Sequence, residues 1–392
     1  MKRRDFLKYT SLLAAGSLYP RVFAQALAPS RRRLILIELK GGNDGLNTLV
    51  PFQSRDYQRI RTKLHLKPEE VKIVDQRLGL GLNKSLEFLH SEFESQKVAI
   101  FHSVGYANPN MSHFRGIDIW ETAVESGTSS SEGWIARALK NTIGRDAISK
   151  GIILGDYNLG ALRGTQQKIM VVDNIRKMLN SRKLFAEHQI RGNEALKHIL
   201  MVENQVLAQL EGLKGVSFEP KKKNGLEADV DILLQLVKAD PNIPFFKLTL
   251  GGFDTHTNQK QRHAKLLGTL DNGLRDLVTG LKTLDAYDET LILTYSEFGR
   301  RPMENGNQGT DHGTANCHFA IGGRVRGKIY HGKDGLGDGG KPGQGGYELD
   351  SIKDTSQVLV SKMDFKDIYE TVLTRWWGTG GLEGKRLAIN FL

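Results

Sequence analysis

The runs RRLILIELKGG (32–42), VAIFHSVG (98–105), KGIILGD (150–156), PFFKLTLGG (244–252), ETLILTYSEFG (289–299) and CHFAIGG (317–323) constrain this chain more than any other feature. Several are continuously apolar rather than alternating. That suits strands covered on both faces, as in parallel sheets flanked by helices. Helical patterns separate them. NKSLEFLHSEFESQ (83–96) has apolar residues at helical spacing behind Asn83, which reads as an N-cap. The stretches 182–213, 262–284 and 365–377 are also helical in pattern, and the second carries leucines near every third or fourth position. Strands alternating with helices imply an α/β/α sandwich around a mostly parallel sheet. No repeat or linker divides the chain, and the glycine-rich stretch 331–346 reads as a flexible loop.

Residues 1–26 read as a targeting segment. MKRRDFLK is basic, YTSLLAAGSLY is an apolar core of about 11 residues, and RVFAQA offers a small-residue cleavage site after Ala24 or Ala26. The core is shorter than the roughly 20 apolar residues that a bilayer span needs. Arg3 and Arg4 before Phe6-Leu7-Lys8 resemble a twin-arginine export signal. The expectation is a signal at 1–26, one domain at 27–392, and a periplasmic or secreted protein. No later run is long and apolar enough to cross a membrane.

The formal charge is +11, but the basic residues are spread out apart from Arg31-Arg32-Arg33 and Lys221-Lys222-Lys223. No basic stripe interleaves with aromatics, which argues against a nucleic acid partner. A positive surface favours an anionic small molecule or polysaccharide. Cys317 is the one cysteine, so there is no internal disulfide and no thiolate metal cluster. Any metal site must use oxygen and imidazole ligands.

Open parallel sheets bind ligands at the carboxyl ends of their strands. The first strand run is followed by GGNDGLNT with Asp44, and the second by GYANPNMSHFRG with Ser112 and His113. The fourth is followed by GGFDTHTNQ with Asp254 and His256, and the fifth by a loop with Glu297, Arg300, Asp311 and His312. Taken singly, Asp44 suits a turn, Ser112 an N-cap and Asp254-Thr255-His256 a hydrogen-bonded turn. Taken together, carboxylates and imidazoles recur at four strand ends. Such a set suits Zn²⁺, Mn²⁺ or a harder divalent cation. Ser112 at a helix start lies beside free N–H groups that favour an anion. Arg300 has the charge to hold a substrate oxygen.

The segments LKGGNDGLNTLVPF, NPNMSHFRGIDIWETA, GWIARAL, GGFDTHTNQ and YSEFGRRPMENGNQGTDHGTANCHFAIGG, in that order, resemble the domain of unknown function 1501 family. The resemblance covers nearly all of the chain after the signal. It implies an exported protein grouped with the alkaline phosphatase and sulfatase superfamily, and an alkaline-phosphatase-like α/β/α sandwich. By position it implies Asp44 as a first-strand metal ligand and Ser112 as a helix-start nucleophile. Asp254 with His256 and Asp311 with His312 become ligand pairs, and Glu297 an added ligand. The Asp254/His256 spacing is shorter than the superfamily's usual one, with His263 a remote substitute.

The leading expectation is a metal-dependent hydrolase of phosphate or sulfate esters with a serine nucleophile. The alternative is a non-catalytic envelope binding protein on a degenerate hydrolase fold, with carbohydrate or an exported protein as partner. A third arrangement is a metal-free serine hydrolase pairing Ser112 with His113, or with His312 and Asp311.

Overall fold

The computed structural model describes residues 31–140, 147–165, 168–172, 213, 225–331, 349, 352–382 and 386–392. Residues 1–26, expected from the sequence to be a targeting segment, most of the 182–213 pattern and most of the glycine-rich stretch lie outside the described residues.

Twelve strands are present among the described residues. β1 (Arg33–Lys40), β5 (Val98–Gly105), β6 (Gly151–Leu154), β7 (Ile169–Val172), β8 (Phe245–Gly251), β9 (Thr290–Tyr295), β10 (Asn316–Ile321), β11 (Lys328–His331) and β12 (Met363–Asp364) form one sheet. Its order is β11-β5-β10-β9-β1-β8-β6-β7, with β12 also on β5. β2 (Leu49–Val50), β3 (Val71–Asp75) and β4 (Leu80–Asn83) form a small second sheet. β1 sits between β8 and β9 and is parallel to both. β10 is antiparallel to β5 and to β9. Two reversals restore the direction, so β1, β5, β8 and β9 all end at one edge. That edge is where the sequence places its ligand-type residues.

Helices cover both faces. They are α1 (Gly45–Thr48), α2 (Arg55–Ile60), α3 (Glu87–Glu94), α4 (His113–Thr122), α5 (Trp134–Ala138), α6 (Leu226–Ala239), α7 (Gln259–Thr283) and α8 (Phe365–Thr371). Alternate residues of β1 enter opposite layers. Ile35, Ile37 and Leu39 pack with α6 and α7 through Leu233, Leu236, Leu270 and Leu274. Leu34 and Leu36 pack with α4 and α8 through Trp120, Ile368 and Tyr369. Strands buried on both sides are what continuous apolar runs require. The mostly parallel α/β/α sandwich expected from the sequence is therefore observed.

Three local expectations are corrected. Asn83 ends β4 instead of capping α3. The amides of Phe88 and Leu89 donate to the Asp271 carboxylate of α7, so α3 is capped from another helix. The 317–323 run is an antiparallel strand beginning at Asn316, wedged between β5 and β9. The last helical pattern starts as α8 but passes into a π-helical turn at Val372–Trp377.

Candidate functional site

The site grows from four strand ends pressed together. Gly41, just after β1, has φ +119°, and a Cβ there would lie 2.3 Å from the Asp254 amide after β8. Only glycine permits both that backbone and that approach. Between β9 and β10 the chain folds back on itself. Gly299 N donates to Thr314 O, Gly313 N to Gly299 O and Arg301 N to Asp311 O, which brings His312 over the strand ends. A Cβ on Gly313 would meet the Arg300 carbonyl carbon at 2.4 Å.

Three imidazoles converge on Asp254. His256 Nε2 lies 3.0 Å and His312 Nε2 3.2 Å from Asp254 Oδ1, and His113 Nε2 lies 3.6 Å from Oδ2. His256 Nε2 and His312 Nε2 are 3.0 Å apart. Each ring commits its other nitrogen to an oxygen that can only accept. His113 Nδ1 donates to Glu297 Oε1 at 2.8 Å, His312 Nδ1 to Met111 O at 2.9 Å, and His256 Nδ1 to Asp311 Oδ1 at 3.3 Å. A ring that is neutral and donates from Nδ1 carries its lone pair on Nε2. Three Nε2 atoms and a carboxylate share one space. The Arg300 Nη1 donor 3.5 Å from His256 Nε2 agrees with a lone pair on that nitrogen.

Lone pairs facing one another repel unless a proton or a cation lies among them. Ligands about 2.0–2.1 Å from a tetrahedral zinc lie about 3.3 Å apart, close to the spacing seen here. Among the described residues, His113, Asp254 and His312 form the group whose ligand atoms, all within 4.8 Å of one another, could hold a metal ion. His256 is not part of that group, but its Nε2 lies 3.0 Å from Asp254 Oδ1 and 3.0 Å from His312 Nε2. The donor set of imidazole and carboxylate fits a divalent cation of the zinc or manganese kind.

The charges around the site are set by Arg300. Its side chain is 1% exposed, and it donates from Nε to Gly42 O, from Nη1 to Thr310 O, and from Nη2 to Gly41 O, Phe253 O and Asp254 Oδ1. Partial burial pushes the Asp254 carboxyl up, but Arg300, His312 and His256 outweigh it and hold the carboxyl at about 2. Burial lowers His312, with a further push from Arg300, so the ring stays neutral to lower pH than usual.

The structure places the remaining sequence candidates as follows. Glu297 is buried, accepts from Gly41 N and His113 Nδ1, and stands behind His113 rather than among the Nε2 atoms. Asp311 stands in the same relation to His256. Asp44 is buried and paired with Arg61, whose Nη1 and Nη2 lie 2.6 and 3.0 Å from its two oxygens. Gln259 Nε2 and Leu46 N also donate to it. The carboxylate is therefore directed at Arg61 and not at the imidazoles. Arg300 spends its N–H groups on protein acceptors, so holding a substrate oxygen would require it to release one. His263 is buried against Phe253, with Nε2 2.9 Å from Asn43 Oδ1, away from the cluster. Ser112 is exposed at the N-cap of α4, and its side chain makes no capping bond. No hydrogen bond joins its hydroxyl to His113 or His312 among the described residues. The sequence marks His113 among the residues after the second strand run and assigns it a role only as a base for Ser112; the structure sets it in the group around Asp254.

The model of the family described as "Protein of unknown function (DUF1501)" matches residues 154–389, well over half of the chain. The chain belongs to the DUF1501 family. The match takes in Asp254, His256, Glu297, Arg300, Asp311 and His312, while His113 lies before it. No curated protein matches this DUF1501 chain. Solved structures similar to it include PsFucS1 sulfatase from Pseudoalteromonas sp., 10% identical, covering 97% of this chain and 72% of that one with a TM-score of 0.39. Another is the phosphonate monoester hydrolase SpPMH from Silicibacter pomeroyi, 10% identical, covering 91% and 76% with a TM-score of 0.41. A third is alkaline phosphatase from the Antarctic bacterium TAB5, 11% identical, covering 76% and 92% with a TM-score of 0.33.

Proposed function

We propose that this DUF1501 chain is an exported, metal-dependent hydrolase of phosphate or sulfate esters. The observation that carries the proposal is the shared orientation of His113, His256 and His312. Each gives Nδ1–H to an oxygen and turns Nε2 toward Asp254. Histidines tied down through one nitrogen with the other free are the usual supporting arrangement of a metal site.

His113, Asp254, His256 and His312 would hold one divalent cation, zinc or manganese. When bound, it supplies positive charge beside the ester oxygens. The other roles belong to the chain. Ser112 begins α4, a helix of 10 residues whose first-turn amides are not capped by its side chain. Those N–H groups and the helix dipole favour the anionic end of an ester. The Ser112 hydroxyl is the nucleophile. Its oxygen bonds to phosphorus or sulfur, the ester alcohol leaves with a proton, and water then takes the group from the serine and restores the hydroxyl. Arg300 and Glu297 position Asp254 and His113. Export by the twin-arginine route is proposed on the RR-x-FLK pattern of residues 3–8.

The test is turnover of 4-nitrophenyl phosphate and 4-nitrophenyl sulfate by the purified chain, with and without chelator, beside Ser112→Ala. Turnover abolished by chelator and by Ser112→Ala is expected. Turnover that survives the chelator removes the metal from the account. A non-catalytic binding role is favoured by a different observation, the commitment of Asp44 to Arg61 and of Arg300 to backbone carbonyls. A chain that retains its cation and turns over neither ester supports that role.

A further inference from the structure

Phe114 follows His113 directly and is 89% exposed. One residue along a helix is about 100° of rotation, so Phe114 leaves α4 in a different direction from His113 and into solvent. A phenyl ring left almost wholly in water beside three converging imidazoles contributes nothing to the fold. On the other side of His312, the His256 flank carries a different wall. Asn305 Nδ2 donates to His256 O and to Asp311 Oδ1, and Asn258 N and Gln259 N donate to the 307–308 backbone. This joins the loops after β8 and β9 and leaves the side chains of Asn258, Asn307 and Gln308 exposed. Asn258 and Gln308 hold φ values of 46° and 56°, in the left-handed region unfavourable to non-glycine residues.

His113, followed by an exposed aromatic ring, and His256, joined to a loop of exposed amides, each pack a ring against His312, and an aromatic face with a bank of amides matches one kind of ligand. We propose that Phe114 is a specificity-determining stacking residue and that the site takes an anionic ester carried on a ring, a sugar sulfate or sugar phosphate. The ring's apolar face lies on Phe114, and its hydroxyls meet Asn258, Asn307 and Gln308. An aryl ester shares the ring face but not the hydroxyls, and an alkyl ester shares neither. This inference rests on the ester-hydrolase reading for its catalytic arm only, because stacking is measurable without turnover.

The experiment compares the full chain with Phe114→Ala and Phe114→Trp. Equilibrium binding of galactose 6-sulfate and glucose 6-phosphate is measured by calorimetry. Hydrolysis of those two compounds, of 4-nitrophenyl sulfate and of methyl phosphate is measured in parallel. For Phe114→Ala, weaker sugar binding by about tenfold is expected, with recovery in Phe114→Trp. Where turnover occurs, the KM ratio between the sugar esters and methyl phosphate should shift by the same factor. Unchanged metal content and melting temperature in the variants separate this from misfolding. Sugar binding without hydrolysis of any ester overturns the hydrolase reading and keeps the stacking residue. Equal sugar binding by the parent and Phe114→Ala overturns the stacking residue. Failure of the parent to bind either sugar ester overturns it too, and a preference for the aryl ester over both sugars removes the amide wall.

Discussion

Glu297 Oε1 accepts from His113 Nδ1 at 2.8 Å, and the same oxygen accepts from Gly41 N at 2.8 Å. One buried carboxylate therefore fixes both the tautomer of an imidazole and the glycine turn that ends β1. Glu297→Gln keeps an oxygen for both donors but loses the charge that strengthens the His113 bond. Metal affinity is expected to fall about 10–100-fold, with the fold intact. Competition with a calibrated chelator reads this, and an unchanged affinity would detach Glu297 from the site.

Arg61 and Asp44 form a buried pair with nothing exposed on either side chain beyond 1%. Arg61→Leu leaves a buried carboxylate unpaired and should cost about 3–5 kcal/mol in denaturant unfolding. Asp44→Asn should leave metal content at about one cation per chain, because one divalent ion fills a four-ligand set without Asp44. Loss of the cation in Asp44→Asn would return Asp44 to the ligand set.

Arg300→Lys tests the clamp. A single ammonium cannot serve the carbonyls of Gly41, Gly42, Phe253 and Thr310 together with Asp254. Buried carbonyls left unpaired cost about 1–3 kcal/mol each before relaxation, so a clear fall in melting temperature is expected. Cation affinity should fall with it as Asp254 is released. A variant that keeps its stability but loses only turnover would instead make Arg300 a substrate contact.

Two buried histidines predict an acid limb. Burial lowers His263 to about 4 and His318 to about 3. As pH falls below the ordinary histidine value near 6.5, the unfolded chain takes up protons that the folded chain refuses. Their contribution is therefore fully present above pH 6.5 and is lost progressively as pH falls from 6.5, to about 4 for His263 and to about 3 for His318. His318 is edge-on to Trp120, and neither ring nitrogen has a hydrogen-bond partner among the described residues. His318→Phe should make the limb shallower by about 1.4 kcal/mol per pH unit, the share of one proton. Urea unfolding at pH 5 and pH 7.5 checks it. An unchanged slope would mean that His318 titrates normally.

The sequence reveals elements whose residues face one environment throughout. β1, β5, β8 and β9 are apolar on both faces, so their runs stand out, and their ends locate the site edge. β2 and β12 have two residues each, too few for any pattern to separate a strand from a loop. The reversed direction of β10 is a property of its neighbours, not of CHFAIGG. In the site, residue type marks Asp254, His256 and His312, and the fold brings them together. Residue type cannot separate a ligand from the carboxylate behind it, which is why Glu297 and Asp311 look like ligands in sequence. Nor does it reveal Arg61, which follows the last residue of α2, 17 positions after Asp44, and claims that carboxylate.

The central claim is that His113, Asp254, His256 and His312 hold a cation. Its most direct test is the metal content of residues 27–392, purified after export and measured by elemental mass spectrometry beside an Asp254→Ala, His312→Ala double variant. The account predicts about one equivalent of zinc or manganese in the parent chain, given one four-ligand set, and none in the variant. A parent chain without metal, or a variant that keeps it, would contradict the account.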